Sequence, residues 1–568
     1  MSQLLKSKID LHLSTVLFVN IFILIISASI LSAQTMQSKF EEYLTGSQNV
    51  LNFSGNVLVM KEGKVLFEKG YGMADISASR PNSPKTRFLI GSITKQFTAA
   101  AVMQLSEKKL LDINDPIVKY FPDYPKPAAD KVNIYHLLTH TSGIANLTDL
   151  PGIEEKWTKP ADPEEVLSMF KDIPLQFEPG SEWQYSNSNY YLLGLVIEKV
   201  SGEKYGEYLQ KHIFEPLGMK NTGYPSGLMK VPGLATGYSF DSDNDPVPAE
   251  VLHSSWPYSG GGLYSTVGDM AKWDRGLRDG TVLSNESLSQ IFNPVKTSFG
   301  FGYGFGWEID TLYGHQMASH GGLINGFYSH FLRFLDEPFC VVAFSNNEAG
   351  PTDRIAKGLT AIVYGEPYDV PVKKIPMAVD AEIFDDYTGV YEVDPDDYNI
   401  VTREEDKLFI QQSGGARYLL MAEAEDRFFY DRNNAWTVTF VRDEAGKVIE
   451  QVSHRNGIDL RARRVGEEEA KRILSAFDPA EINPAVFKEY EGDYEVAPGF
   501  VLTFIRRENR FFTKATGQPE MEIFPRSETE FFLKVVDGSV KFVKDGSGKV
   551  TGLVINQGGR EIPAKKIK

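Results

Sequence analysis

The sequence predicts a mixed α/β domain followed by two small antiparallel β-barrels, and three observations carry that expectation. Strand-like alternation appears near residue 55 and returns near residue 325, with helical spacing between. One antiparallel sheet assembled from both ends of the domain accounts for this order. A block near residue 382 recurs 103 residues later, which marks a repeated small unit. Finally, at 568 residues with 42% hydrophobic and 12% aromatic side chains, the chain can bury the cores of several domains, roughly three or four.

Residues 1–33 carry Lys6 and Lys8, an apolar run from Val16 to Ile26, and small residues ending in Leu31-Ser32-Ala33. That layout predicts a signal peptide cleaved after Ala33 and hence export to a periplasmic or extracellular location. The alternative is an uncleaved anchor, because Val16 to Leu31 approaches the length of a bilayer span. No cysteine lies nearby, so a lipoprotein anchor has no support.

A first domain over 36–365 opens on a hairpin: Gly55 to Met60, the turn Lys61-Glu62-Gly63-Lys64, then Val65 to Lys69. The run Phe88-Leu89-Ile90-Gly91 leads into Ser92, which starts a buried helix with Phe97, Ala100, Ala101 and Gln104 at helical spacing. A helical stretch at Val132 to Leu138 stops at Thr139-His140-Thr141-Ser142-Gly143. Gly326 to Leu332 and Phe339 to Asn346 read as strands around the turn Asp336-Glu337-Pro338, and Asp353 to Tyr364 as a closing helix. Residues 366–380, with three prolines, form a linker.

In the tail, Phe384/Phe487, Tyr387/Tyr490, Gly389/Gly492 and Tyr391/Tyr494 are each 103 residues apart. The two copies, over 381–467 and 484–568, have room for about eight short strands each, which suggests two barrels rather than one large one. The charged segment around Glu468-Glu469 between them reads as a solvated connector.

The net charge is −17, or −18 for a chain beginning at Gln34, since the segment removed carries two Lys and one Asp. So acidic a surface argues against nucleic acid and against anionic lipid as partners. The single cysteine, Cys340, sits in an apolar run and reads as a buried strand residue, so stability rests on cores rather than disulfides.

Three short motifs carry the chemistry. Ser92 and Lys95 lie one helical turn apart, which suits a serine nucleophile activated by an amine. Ser-x-x-Lys alone is weak, because it recurs at Ser106/Lys109, Ser168/Lys171 and Ser201/Lys204; the buried helix start singles out Ser92. Burial of Lys95, together with neighbouring cations, is expected to lower its pKa. Tyr185 supplies a phenol for proton transfer, poised as a base between Lys95 and a second donor. Asn187, two residues on, would face the same way in an extended segment and hold Lys95 and a substrate carbonyl. Tyr-x-Asn occurs once among 26 tyrosines, so this part is the more specific. His320-Gly321-Gly322 reads as an edge-strand wall for substrate, with glycines that allow close approach. The backbone N–H groups of Ser92 and Leu323 are the natural oxyanion donors.

Taken in that order, Ser92-x-x-Lys95, Tyr185-x-Asn187 and His320-x-Gly322 resemble the penicillin-recognising serine hydrolases: class C β-lactamases, D-alanyl-D-alanine carboxypeptidases, family VIII esterases and D-aminopeptidases. The surrounding words match too: His136-Leu-Leu-Thr-His-Thr-Ser-Gly-Ile144, Pro216-Leu-Gly-Met219 and Gly260-Gly-Gly-Leu-Tyr-Ser-Thr-Val-Gly-Asp-Met270. The resemblance covers roughly residues 40–365. It implies a β-lactamase/penicillin-binding-protein-like α/β sandwich with a helical lobe, an acyl-enzyme on Ser92 and no cofactor; the tail would then be two lipocalin-like barrels. Related enzymes carry Lys-Thr-Gly as the third motif. Here His320 stands in place of that lysine, and a histidine is mostly neutral near pH 7, so a fixed cation for a substrate carboxylate is lost. A His-x-Gly element followed by two barrels is similar to the D-aminopeptidase pattern.

Three functions therefore compete: a peptidase or amidase acting on D-amino-acid peptides, a carboxylesterase, and a non-hydrolysing sensor of cell-wall peptides or β-lactams. His315 and His320 lack metal-ligand spacing, so no metal is expected. His140 reads as a turn residue, and Tyr303-Gly-Phe-Gly-Trp307 as core beside the cleft. A loop from the second barrel, Ala515 to Glu522, is a candidate to cap the cleft. The oligomeric state is not legible.

Overall fold

The hairpin pattern near residue 55 and the strand pattern near residue 325 meet in one sheet. The structure, a computed structural model, describes residues 36–567 except 151, 241–244, 395–396, 413–416, 431–432, 456–457, 476–479, 498–499, 517–519, 534–537 and 558–559. The predicted signal segment 1–33 lies outside the described residues, as does the middle of the candidate loop 515–522. Two compact units are distinguished, one from Met1–Leu147 with Trp157–Pro371, the other from Thr148–Lys156 with Val372–Lys568.

In the first unit the helices used below are α1 (36–50), α2 (Thr94–Glu107), α3 (Ile134–Leu138), α4 (Asn187–Ser201), α5 (Val267–Arg278), α6 (Asn285–Ile291) and α7 (Thr352–Tyr364). The sheet strands are β1 (Gly55–Lys61), β2 (Lys64–Tyr71), β3 (Val295–Lys296), β4 (Gly302–Tyr303), β5 (Glu308–Leu312), β6 (His315–Ile324), β7 (Phe327–Phe334) and β8 (Phe339–Ser345). Their order is β2-β1-β8-β7-β6-β5-β4-β3, antiparallel throughout, so the first hairpin joins the last strand in register from Gly55↔Ser345 to Lys61↔Phe339. β8 is buried at every position, which explains its unbroken apolar run and the full burial of Cys340.

Alternate residues of β1, β7 and β8 form one core with α1 and α7, including Leu44, Val57, Leu332, Val341 and Leu359. Each such side chain stabilises the fold by ~1.5–3 kcal/mol. α5 packs against β1 and β8, and its Asp274 meets Arg333, whose neighbour Leu332 faces the α7 core; α5 therefore covers the opposite face. α2 is buried from Thr94 to Leu105, the mark of a helix inside a lobe rather than on its surface.

The second unit holds two closed barrels of eight strands each, Gly389–Arg464 and Gly492–Lys566, not one large barrel. Each is plugged by aromatic rings at matching positions. Tyr387 stacks on Phe440 at 4.5 Å and Tyr490 on Phe542 at 4.1 Å. Tyr391 donates to the Tyr387 carbonyl at 2.7 Å, and Tyr494 to that of Tyr490 at 2.9 Å. Glu468 and Glu469 of the connector are solvated, as expected, but they lie on a helix that was not foreseen, α8 (Glu467–Ser475), whose Ile473 packs with Val390, Ile400 and Val465. Its charges face water and its apolar stripe does not. Among the described residues, no helix is long and apolar enough to cross a membrane.

Candidate active site

Ser92 lies in the 3-10 turn Gly91–Ile93 that runs straight into α2, so its hydroxyl and the Lys95 amine emerge on one side of the helix start. Lys95 Nζ is 3.0 Å from Ser92 Oγ, 2.8 Å from Asn187 Oδ1 and 2.7 Å from the Gly260 carbonyl. It also sits over the Tyr185 ring, 4.8 Å from its centroid, and 5.5 Å from that of Tyr190. None of these partners carries a negative charge. Burial therefore holds the ammonium well below the usual lysine range, with no help from neighbouring cations. The Gly260 carbonyl was missed by the sequence reading, although its glycine run had been noted; a backbone acceptor has no side-chain signature.

Asn187 reaches Lys95 from a different element than foreseen. Ser186 is extended (φ −143°, ψ 118°), but Asn187 is already the first residue of α4. Its N–H bonds Asn146 Oδ1 at 2.8 Å, which fixes that helix start to the loop after α3. His140 makes the same junction from below and is more than a turn residue. Its Nδ1 lies 3.2 Å from both the Ser186 N–H and the Asn189 amide, and its ring lies 4.4 Å from that of Tyr185. Burial, with Lys95 and His320 adding to it, keeps this imidazole neutral.

Tyr185 shares a hydrogen bond with Ser92. Burial raises its pKa, the Glu308 carboxylate adds to the rise, and the Ser92 bond opposes it. The phenol is thus a proton donor at neutral pH and not the ready base expected from its neighbours.

The His320 strand is not a true edge. β6 is fifth of eight, but β5 pairs it only from His315 to Ser319, so His320–Ile324 has β7 on one side and lacks β5 on the other. That free stretch abuts the serine turn. A Cβ on Gly322 would sit 2.0 Å from the Ile90 carbonyl, and one on Gly91 (φ +50°) 2.9 Å from Leu323 N. Both positions require glycine, and this contact sets the Ser92 and Leu323 backbones side by side.

His320 itself is 3% exposed. Its Nε2 meets Tyr303 Oη at 3.0 Å and its Nδ1 the Gly321 carbonyl. Burial, then the Lys95 charge, lowers its pKa to about 3. With both nitrogens engaged inside the protein, the ring supports the wall rather than presenting a polar atom to substrate. The surface of the wall falls to Gly322 and to Leu323, which is 64% exposed.

The competing motifs are not assembled this way. Ser168 and Ser201 donate to carbonyls of their own helical turns, Glu165 at 2.7 Å and Ile197 at 2.6 Å. Among the described residues no cluster of three His, Cys, Asp or Glu could hold a metal ion.

A buried helix start carrying a hydroxyl and a pKa-depressed amine lies between a helical lobe and an antiparallel sheet, an arrangement of the serine-hydrolase class. The matching family model, Beta-lactamase, spans residues 47–364, and the chain belongs to that family. It is similar to penicillin-binding protein 4* of Bacillus subtilis, 29% identical over 398 residues that cover 66% of this chain and 88% of the relative. It is also similar to the D-aminopeptidase of Gluconobacter oxydans, 26% identical over 414 residues, 71% of this chain and 74% of that one. Among solved structures, the octameric penicillin-binding protein homologue from Pyrococcus abyssi superposes with a TM-score of 0.55 at 24% identity. It covers 84% of this chain and 97% of its own, a likeness of fold.

Proposed function

We propose that the protein is an exported serine hydrolase that cleaves amide bonds in small D-amino-acid peptides or amides through an acyl-enzyme on Ser92. The observation that carries the reading is the 3.0 Å approach of Lys95 Nζ to Ser92 Oγ in a setting that disfavours the ammonium. In this mechanism neutral Lys95 takes the Ser92 proton as Oγ bonds to the acyl carbon. Ser92 and Leu323 N–H groups hold the resulting oxyanion, and Tyr185 gives its proton to the leaving amine. The Lys95 proton then returns to the Tyr185 phenolate. Water repeats the sequence in reverse roles and releases the acid.

Two observations support a substrate without a carboxylate anchor. His320 is neutral and enclosed. The cleft rim beyond Tyr185 is aromatic: Trp183 lies 5.9 Å from Phe299, which is 70% exposed. The similarity to a D-aminopeptidase supports amides of D-residues. The exposed apolar rim equally suits small esters, which keeps a carboxylesterase as the second reading. A panel of D-alanine p-nitroanilide, p-nitrophenyl butyrate and a penicillin, with intact mass read at each step, tests both. Turnover of the anilide alone supports the amidase and turnover of the butyrate alone the esterase. A stable adduct on Ser92 without turnover overturns both in favour of a sensor.

A further inference from the structure

Phe299 is 70% exposed, and among the described residues it is the only phenylalanine or tryptophan on the open surface. It stands at the tip, residues 297–301, of the hairpin in which β3 pairs with β4 through Tyr303↔Val295 and Gly302↔Lys296. Thr297 sets that tip. Its Oγ1 accepts the Phe299 N–H at 3.2 Å and donates to the Phe301 carbonyl at 2.6 Å. The Phe299 and Phe301 rings are thereby stacked, 6.1 Å apart and 15° from parallel. Most of the Phe299 ring stays in water, where it forgoes the stabilisation that burial gives an aromatic side chain.

The stacked pair is joined to the catalytic residues. Trp183 stands edge-on to both rings, 5.9 Å from Phe299 at 81° and 6.0 Å from Phe301 at 84°. Its centroid lies 5.6 Å from that of Tyr303 and 6.5 Å from that of Tyr185. Trp183 Nε1 is enclosed, so the exposed part of this half-buried indole is carbon. The hairpin also flanks the stretch of β6 that β5 leaves unpaired, because its Tyr303 meets His320 at 3.0 Å. Tyr185, Trp183, Phe301 and Phe299 thus form a continuous aromatic surface, without a charged side chain, from the proton donor to open water.

We propose that Trp183, Phe301 and Phe299 form the leaving-group subsite, and that it selects an apolar, best an aromatic, residue on the amine side of the scissile bond. The inference rests on the acyl-enzyme reading above, in which Tyr185 protonates the departing nitrogen. Whatever that nitrogen carries lies beside Tyr185, and the next surface it meets is this aromatic run. A flat side chain can lie over Phe299 or edge-on to Trp183, and both arrangements favour aromatic groups. A bare amide or a glycine has no apolar surface to place there. The substrate class narrows accordingly, to a small D-residue followed by an apolar residue rather than a simple D-amino-acid amide.

The test compares D-alanyl-L-phenylalaninamide with D-alanylglycinamide, reading kcat/KM from released D-alanine. Wild-type protein should favour the phenylalanine substrate by about tenfold, and Phe299→Ser should remove most of that ratio. Phe299 is exposed, so its replacement leaves the core intact, and Trp183→Leu should lower the ratio as well. Calorimetry of the same two compounds on Ser92→Ala, with and without Phe299→Ser, reads the preference without chemistry. A binding preference that Phe299→Ser removes supports the subsite even if turnover fails and the hydrolase reading falls. A ratio that Phe299→Ser leaves unchanged overturns the subsite even if turnover is fast and the hydrolase reading stands. An effect of Phe299→Ser on the choice between D-phenylalanine and D-alanine p-nitroanilides would also overturn it, since the aromatic run would then read the acyl side.

Discussion

The cleft and the first barrel each set a cation over a tyrosine ring, and they do so in opposite ways. Lys95 lies over Tyr185 among neutral oxygens, and its pKa falls. Arg442 lies 5.3 Å from the Tyr387 centroid and bonds Asp386 and Asp426, each at 2.8 Å. Although burial works against its charge, those two carboxylates and the Tyr387 hydroxyl hold its pKa above the ordinary value. The second barrel repeats the theme more weakly, with Lys544 bonded to one carboxylate, Glu489, at 2.7 Å. A matched cation ties structure together, whereas an unmatched one is available for proton transfer.

The largest expected effect breaks the cleft side outright. Ser92→Ala should reduce hydrolysis to background and abolish any acyl adduct in intact mass spectra. Next, Lys95→Met should lower turnover by about a thousandfold while raising the unfolding free energy by on the order of 1 kcal/mol, because an unmatched buried amine is removed. The sign with pH follows from linkage. The folded pKa of Lys95 lies below its ordinary 10.5, so the unfolded chain binds the proton more tightly between the two values. Wild-type stability therefore declines as pH falls from 10.5 toward the folded value, and the variant's advantage should widen over that range in denaturant titrations. An advantage that does not change with pH would break the comparison.

Tyr185→Phe should cost turnover about a hundredfold, with the loss smallest for esters whose leaving groups need no proton. On the barrel side the effects are in stability alone. Arg442→Met should destabilise the first barrel by about 1–2 kcal/mol, seen as faster hydrogen exchange in its strands, since two carboxylates lose their partner. Lys544→Met should change the second barrel by no more than about 0.5 kcal/mol. Equal losses in the two barrels would show that the extra carboxylate contributes nothing.

Much of this contrast was legible before the fold. Period-two alternation located the first hairpin, and the 103-residue offset pointed to two barrels, because both features are local or self-similar. Ser92, Lys95, Tyr185 and Asn187 were named from motif and setting. What escaped were contacts between distant segments without a chemical signature. The Gly260 carbonyl meets Lys95 across 165 residues, and nothing in Gly260-Gly261-Gly262 announces an acceptor. His140 was read from its turn, whereas its role comes from packing on Tyr185 and α4. The edge character expected of His320 was half right for a reason invisible in β6 itself: the neighbouring strand stops pairing one residue short of it.

Cys340 gives the chain a built-in clock. It is the only thiol in 568 residues and sits fully enclosed within the sheet, near the start of β8 and opposite Met60 and Arg333. A thiol reagent can modify the protein only when that sheet opens, so the labelling rate times the unfolding of the hydrolase unit separately from either barrel.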